Sequence, residues 1–208
     1  MNKSTLLAEV NSALETVRKT NPLAPSITNT VTINFVANAQ LACGGSAAMV
    51  YLADEGEMMA KASKSMYINM GTQFTCYPET LPRTAKACLE SGNDWVLDPV
   101  GIGIGEQRTD LLKKFKETKP KIIRAHASEV IALASLWELT EKKESGVRGV
   151  DSTDEVISAK DAAIALAKYT GGAVTVSGKV DLVTDGTTNV LCHGGSEYLP
   201  MITGAGCS

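Results

Sequence analysis

Residues 95–103 read Trp95-Val96-Leu97-Asp98-Pro99-Val100-Gly101-Ile102-Gly103. Three apolar residues without polar alternation fit a strand buried on both faces. Pro99 lacks the N–H that a continuing strand would donate, and the glycines behind it let a ligand approach the backbone. Asp98 is thereby placed at the carboxyl end of a strand, where open α/β sheets bind their ligands; an aspartate here also suits the plainer task of capping the next turn. The Gly101, Gly103 and Gly105 spacing is not the dinucleotide fingerprint, because its intervals are wrong and no helix opens directly from it.

The same strand type recurs on both sides. Short apolar runs at 48–52, 66–70, 95–98 and 121–124 alternate with helical periodicity near 55–63, 78–91, 107–118 and 128–136. This alternation implies an α/β protein with a mostly parallel central sheet and helices on both faces. An entry helix is expected from Ser4, as N-cap, to Val17, ending at Asn21-Pro22. The stretch TVTINFVANAQLACGG, 30–45, is ambiguous: its first half is β-branched, its second half a good helix former stopped by glycine. Beyond Gly149 a helix from about 153 to 169, a strand at 173–177 and a hairpin of 180–186 with 187–192 are expected. Residues 141–149 form the most linker-like stretch, of loop length only.

The chain has 208 residues, 44% apolar and 21% charged, with a formal net charge of −3. These values fit one α/β domain spanning 1–208 and leave no basic footprint for nucleic acid. No apolar run reaches the roughly 20 residues of a membrane span, and the N-terminus lacks a signal-peptide profile, so the cytoplasm is the expected compartment. The five cysteines, Cys43, Cys76, Cys88, Cys192 and Cys207, include no C-x-x-C pair, which indicates neither a disulfide framework nor a zinc site.

Two further stretches carry chemistry. In KIIRAHASE, 121–129, Arg124 ends a strand and Glu129 lies in the first turn of a helix. An arginine there can grip phosphate bidentately and a carboxylate can hold Mg²⁺ directly or through water, but Ser128 as cap with Glu129 favouring the helix dipole is the bland alternative. His126, one of two histidines, is more often a structural hydrogen-bonder than a catalyst. The second stretch is MITGAGCS, 201–208, whose glycines permit amides to approach an anion. Cys207 could there accept a proton from an alcohol while the amides of Ala205, Gly206 and Cys207 hold charge on a transferring phosphoryl group; a glycine turn with a packed cysteine is the simpler alternative.

Together, PSITNTVTINFVANAQLACGGSAAMV (25–50), INMGT (68–72), WVLDPVGIG (95–103), IIRAHASE (122–129), VSGKVDLVTDG (176–186) and ITGAGC (202–207) resemble the hydroxyethylthiazole kinases of the ribokinase-like superfamily, in that family's order, from about residue 6 onward. The resemblance implies transfer of the ATP γ-phosphate to the hydroxyl of 4-methyl-5-(2-hydroxyethyl)thiazole in thiamine salvage, with Mg²⁺, by a homotrimer whose active sites lie between subunits. It implies Asn29 and Met49 in the thiazole pocket and Gly204 against the substrate, Arg124 and Ser177 on ATP, Asp98 and Glu129 on the metal or its waters, Cys207 as base and residues 205–207 as anion hole. It also implies a helix after Asn29, against local β propensity.

Three departures from the family pattern stand out. His126 replaces the usual asparagine, which bears on the hydrogen bonding between Arg124 and the metal carboxylates. Ser177 replaces threonine and keeps the hydroxyl. The family continues for several dozen residues past its cysteine, so the chain is read as stopping at the anion-hole motif, and a protein ending there is expected to be catalytically crippled. Two rivals follow: another ribokinase-like activity, a pyrimidine-alcohol kinase or hydrate dehydratase, against which Cys207 in place of aspartate counts; and a non-catalytic thiazole-binding remnant.

Overall fold

The computed structural model describes residues 2–140 and 153–208; the linker-like stretch expected at 141–149 lies outside them. Helix α1 (Lys3–Thr20) leads into strand β1 (Leu23–Ile27), helix α2 (Ile33–Ala42), strand β2 (Ser46–Met49) and helix α3 (Ala53–Ala62). Then come β3 (Ser65–Asn69), α4 (Tyr77–Ser91), β4 (Asp94–Asp98), α5 (Glu106–Thr118), β5 (Ile122–His126) and α6 (Ala127–Leu136). Helices α7 (Thr153–Ser158) and α8 (Lys160–Thr170) precede β6 (Ala173–Ser177), β7 (Asp181–Thr184) and β8 (Asn189–Cys192). The strands form one sheet in the order β2-β1-β3-β4-β5-β6-β7-β8, parallel through β6, with β7 and β8 added antiparallel.

Alternation along the strands divides the sheet. Met66, Ile68, Trp95, Leu97, Ile123, Ala125, Val174 and Val176 are buried together with the inner faces of α3 to α8. Their neighbours Tyr67, Val96, Arg124 and Thr175 turn to the opposite face and are only half-buried. On that face lie α2, through Val36 and Gln40, and residues 204–208. Helices thus occupy both faces, unequally. Among the described residues no helix is long and apolar enough to cross a membrane.

Several local expectations are corrected. Strand β1 was not anticipated, because Pro25 and its length of five residues hide it; it pairs with β3 only past the proline, at Ser26 and Ile27. Strand β2 starts and ends earlier than 48–52, since Glu55 reaches back to the Leu52 N–H and draws that residue into the start of α3. Asn2, not Ser4, caps α1, its Oδ1 accepting from Thr5 N at 2.8 Å. Strand β5 runs two residues beyond Arg124, and His126 rather than Ser128 stands at the N-cap of α6. The single helix expected over 153–169 breaks at Ala159, which is fully buried, so that Val156 and Ala163 on either side of the break both reach the core.

The ambiguity at 30–36 resolves to a turn at 30–32 and helix from Ile33, for a tertiary reason. Asn29 Nδ2 donates to Asn69 Oδ1, 40 residues on, and its Oδ1 accepts from Thr32 N (3.1 Å) and Thr32 Oγ1 (3.0 Å), which fixes the N-cap residue of α2.

Candidate active site

Parallel register aligns four polar residues at the carboxyl ends of the strands. Asn69 of β3 is paired with Asp98 of β4, and β5 follows with Arg124 on the same face and Ser177 of β6 beyond it. Sheet pleating alone brings these side chains together. Asp98 and Asn69 are fully buried.

Arg124 joins the row. Its Nε donates to Ser177 Oγ at 3.1 Å and its Nη1 lies 3.5 Å from Asp98 Oδ2. The link from Arg124 to the carboxylate therefore stands with histidine at 126; His126 itself is exposed, its Nδ1 3.3 Å from the Ser177 carbonyl. Glu129 uses both oxygens locally, Oε2 accepting from His126 N at 2.9 Å and Oε1 from Gly101 N at 3.2 Å, so it caps α6 and pins the loop after β4.

Burial pushes the Asp98 carboxyl up to about 7; Arg124 opposes this and Glu129 reinforces it. Asp98 Oδ2 is shared by Asn69, Tyr67 and Arg124, whereas Oδ1 is buried with no hydrogen-bond partner. A buried carboxylate oxygen left open beside a second carboxylate suits a cation that keeps waters and substrate oxygens for the rest of its shell. Among the described residues no three His, Cys, Asp or Glu gather as a self-sufficient metal cage.

The C-terminal segment closes over the row. Residues 203–207 form successive turns, with Ala205 N donating to Ile202 O (3.2 Å) and Cys207 N to Gly204 O (2.9 Å). Gly204 has φ +95°, and a Cβ there would meet Thr32 Cβ at 2.9 Å, so only glycine seats the loop on α2. A Cβ on Gly206 would stand 3.1 Å from Arg124 Nη2, which places the loop backbone directly on the guanidinium. Asn29 Nδ2 donates to Asn69 Oδ1 at 3.0 Å and lies 3.7 Å from Cys207 Sγ.

Asn29, Asp98, Arg124, Ser177, Gly206 and Cys207 are thus one connected group. Glu129 adjoins it through Gly101, Gly204 through Thr32, and Met49 ends β2 in register with Ser26, three residues before Asn29. Sequence reasoning missed Tyr67 and Asn69. Asn69 lies in the INMGT stretch, and its position one strand away from Asp98 was the available signal; nothing local marks Tyr67 as more than a strand residue. Its hydroxyl contacts Asp98 Oδ2 (3.1 Å) and the Cys207 carbonyl (2.9 Å), and burial with Asp98 nearby raises its pKa.

A cationic arginine, a buried carboxylate with an open oxygen, a hydroxyl, a thiol and a glycine turn, all at strand ends, form a site suited to moving a phosphoryl group onto a small alcohol. Comparison with known proteins agrees. Residues 14–208 match the model of the family described as "Hydroxyethylthiazole kinase family". The chain is 48% identical to a hydroxyethylthiazole kinase of Bifidobacterium longum subsp. infantis, covering 96% of this chain and 69% of that protein. It is 47% identical to one from Bifidobacterium adolescentis, over 98% and 73%. Among solved structures it is similar to the hydroxyethylthiazole kinase protein of Pyrococcus horikoshii, with TM-score 0.80, 30% identity and coverage of 94% and 71%.

Proposed function

The chain belongs to the hydroxyethylthiazole kinase family, with the ribokinase-like fold, and from this premise we propose the roles of its site residues in phosphorylating 4-methyl-5-(2-hydroxyethyl)thiazole with ATP for thiamine salvage. The observation that carries the reading is that Arg124 faces the buried carboxylate Asp98 while the Tyr67 hydroxyl lies within reach of both that carboxylate and the Cys207 carbonyl.

Asn29 and Met49, with Gly204, form the thiazole side of the site. The substrate hydroxyl oxygen attacks the γ-phosphorus, the bond from that phosphorus to the β–γ bridging oxygen breaks, and ADP leaves. The Cys207 sulfur, as base, takes the proton of the attacking hydroxyl. Arg124 holds phosphate oxygens with its planar fork, and Ser177 fixes both the arginine and the nucleotide. The amides of Ala205, Gly206 and Cys207 are assigned to the charge that develops on the transferring group, which requires Ala205 N and Cys207 N to leave the Ile202 and Gly204 carbonyls to which they donate. Asp98, through its open Oδ1, and Glu129 would hold Mg²⁺ or its waters. Mg²⁺, when bound, would supply charge neutralisation for the phosphoryl transfer. The active form is a homotrimer with sites between subunits, in the cytoplasm.

The test is a coupled assay for ADP release dependent on both thiazole and Mg²⁺, with the intact mass of the same sample. Thiazole-dependent release is expected. Thiazole binding without ADP release would replace the enzyme with the non-catalytic binding protein.

A further inference from the structure

Asn69 has all its hydrogen-bonding capacity engaged. Its Oδ1 accepts from Gly71 N (2.9 Å) and Asn29 Nδ2 (3.0 Å), and its Nδ2 donates to Asp98 Oδ2 (3.0 Å) and to Tyr67 Oη (3.0 Å). The Gly71 amide can only donate, so the amide group of Asn69 has one permitted orientation. That orientation supplies a donor to the tyrosine oxygen.

The hydroxyl of Tyr67 has one hydrogen and two acceptors within reach, the Cys207 carbonyl at 2.9 Å and Asp98 Oδ2 at 3.1 Å. Asp98 Oδ2 already receives Asn69 and faces Arg124, whereas Tyr67 is the side chain that reaches the Cys207 carbonyl. The hydrogen is better spent on the carbonyl. Meanwhile Asn29, fixed on the same Asn69, lies against the sulfur of Cys207. The cysteine is therefore held at both ends, sulfur and carbonyl, by two side chains anchored on one buried amide.

We propose that Tyr67, oriented by Asn69, is a positioning residue that fastens the Cys207 carbonyl above Asp98 and so sets where the Cys207 sulfur stands relative to the phosphoryl-transfer site. The inference rests on the kinase reading above. In this role Tyr67 acts through Cys207 and not on the reacting atoms. Removing its hydroxyl leaves the ring beside its register partner Val96 and frees the turn at 203–207 to shift, so the sulfur spends less time in line.

The experiment is Tyr67→Phe in the intact protein, with Tyr67→Leu as a second hydroxyl-free variant in case the first does not fold. Steady-state kinetics should show kcat down by about tenfold with the KM values for ATP and thiazole within about twofold, the size expected for one lost hydrogen bond felt mainly at the transition state. Peptide-resolved alkylation by iodoacetamide should show Cys207 reacting about threefold faster or more, while Cys43 and Cys192 keep their rates. A folded variant with unchanged kcat and an unchanged Cys207 alkylation rate overturns the proposal. If the unmodified protein releases no ADP, the kinase reading fails, and the alkylation arm still decides whether Tyr67 holds Cys207.

Discussion

Arg124 Nη1 stands 3.5 Å from Asp98 Oδ2 while Nε of the same guanidinium donates to Ser177 Oγ at 3.1 Å. One planar group therefore spans three strands, a geometry that a lysine cannot reproduce. Arg124→Lys keeps the charge and loses the fork. We expect kcat/KM for ATP to fall by about 10- to 100-fold, the equivalent of ~1.5–3 kcal/mol for charge-assisted hydrogen bonds, with thiazole binding by calorimetry little changed.

Asp98 makes stability depend on pH in the direction opposite to a salt-bridged carboxylate. Its folded pKa is raised to about 7, chiefly by burial, so between there and the unfolded value near ~3.9 the folded protein binds the extra proton. Stability from this group is complete below about pH 4 and is lost as the pH rises through about 7. In metal-free buffer, Asp98→Asn should match the parent near about pH 4 and exceed its unfolding free energy by at most ~4 kcal/mol near about pH 8, as read by urea melts. Kinase turnover by the same variant should be nearly abolished.

Gly204 meets two constraints at once, φ +95° and the 2.9 Å that an added Cβ would leave to Thr32 Cβ. Gly204→Ala must distort the turn or lift it from α2. The expected cost is ~1–3 kcal/mol, concentrated locally, so the melting temperature drops modestly while kcat falls far more. Circular dichroism melts paired with ADP release measure the two effects.

Cys207 as base predicts a defect in kcat rather than in binding. Cys207→Ala should lower kcat by about a hundredfold to ten-thousandfold, the range for loss of a general base, with thiazole affinity retained. Cys207→Asp, which restores a proton acceptor at that position, should recover part of the loss. Equal inactivity of the two variants would count against the role.

Much of the fold was legible because it is local. The apolar runs that became β3, β4 and β5, and the amphipathic spacing that became α4 and α5, need only neighbours in sequence to be read. The proline after Asp98 and the glycines after it likewise announced a strand end. Where the reading strayed, the deciding contact came from elsewhere. Strand β1 carries Pro25 and pairs on two sides, β2 yields its last residues to the cap of α3, and the stretch at 30–36 becomes a turn and then helix from Ile33 because Asn29 is locked to Asn69, 40 residues on.

The candidate site divides in the same way. Its residue types and order were visible in the sequence, since a carboxylate, an arginine, a hydroxyl and a thiol after a glycine turn each mark chemistry in isolation. That they form one group was decided by strand order and register, which set Asp98 between Asn69 on one side and Arg124 on the other. Tyr67 is the sharpest case: its partner carbonyl is 140 residues away, and a hydrogen bond with a reach of about 3 Å has no trace in a sequence until the sheet is assembled.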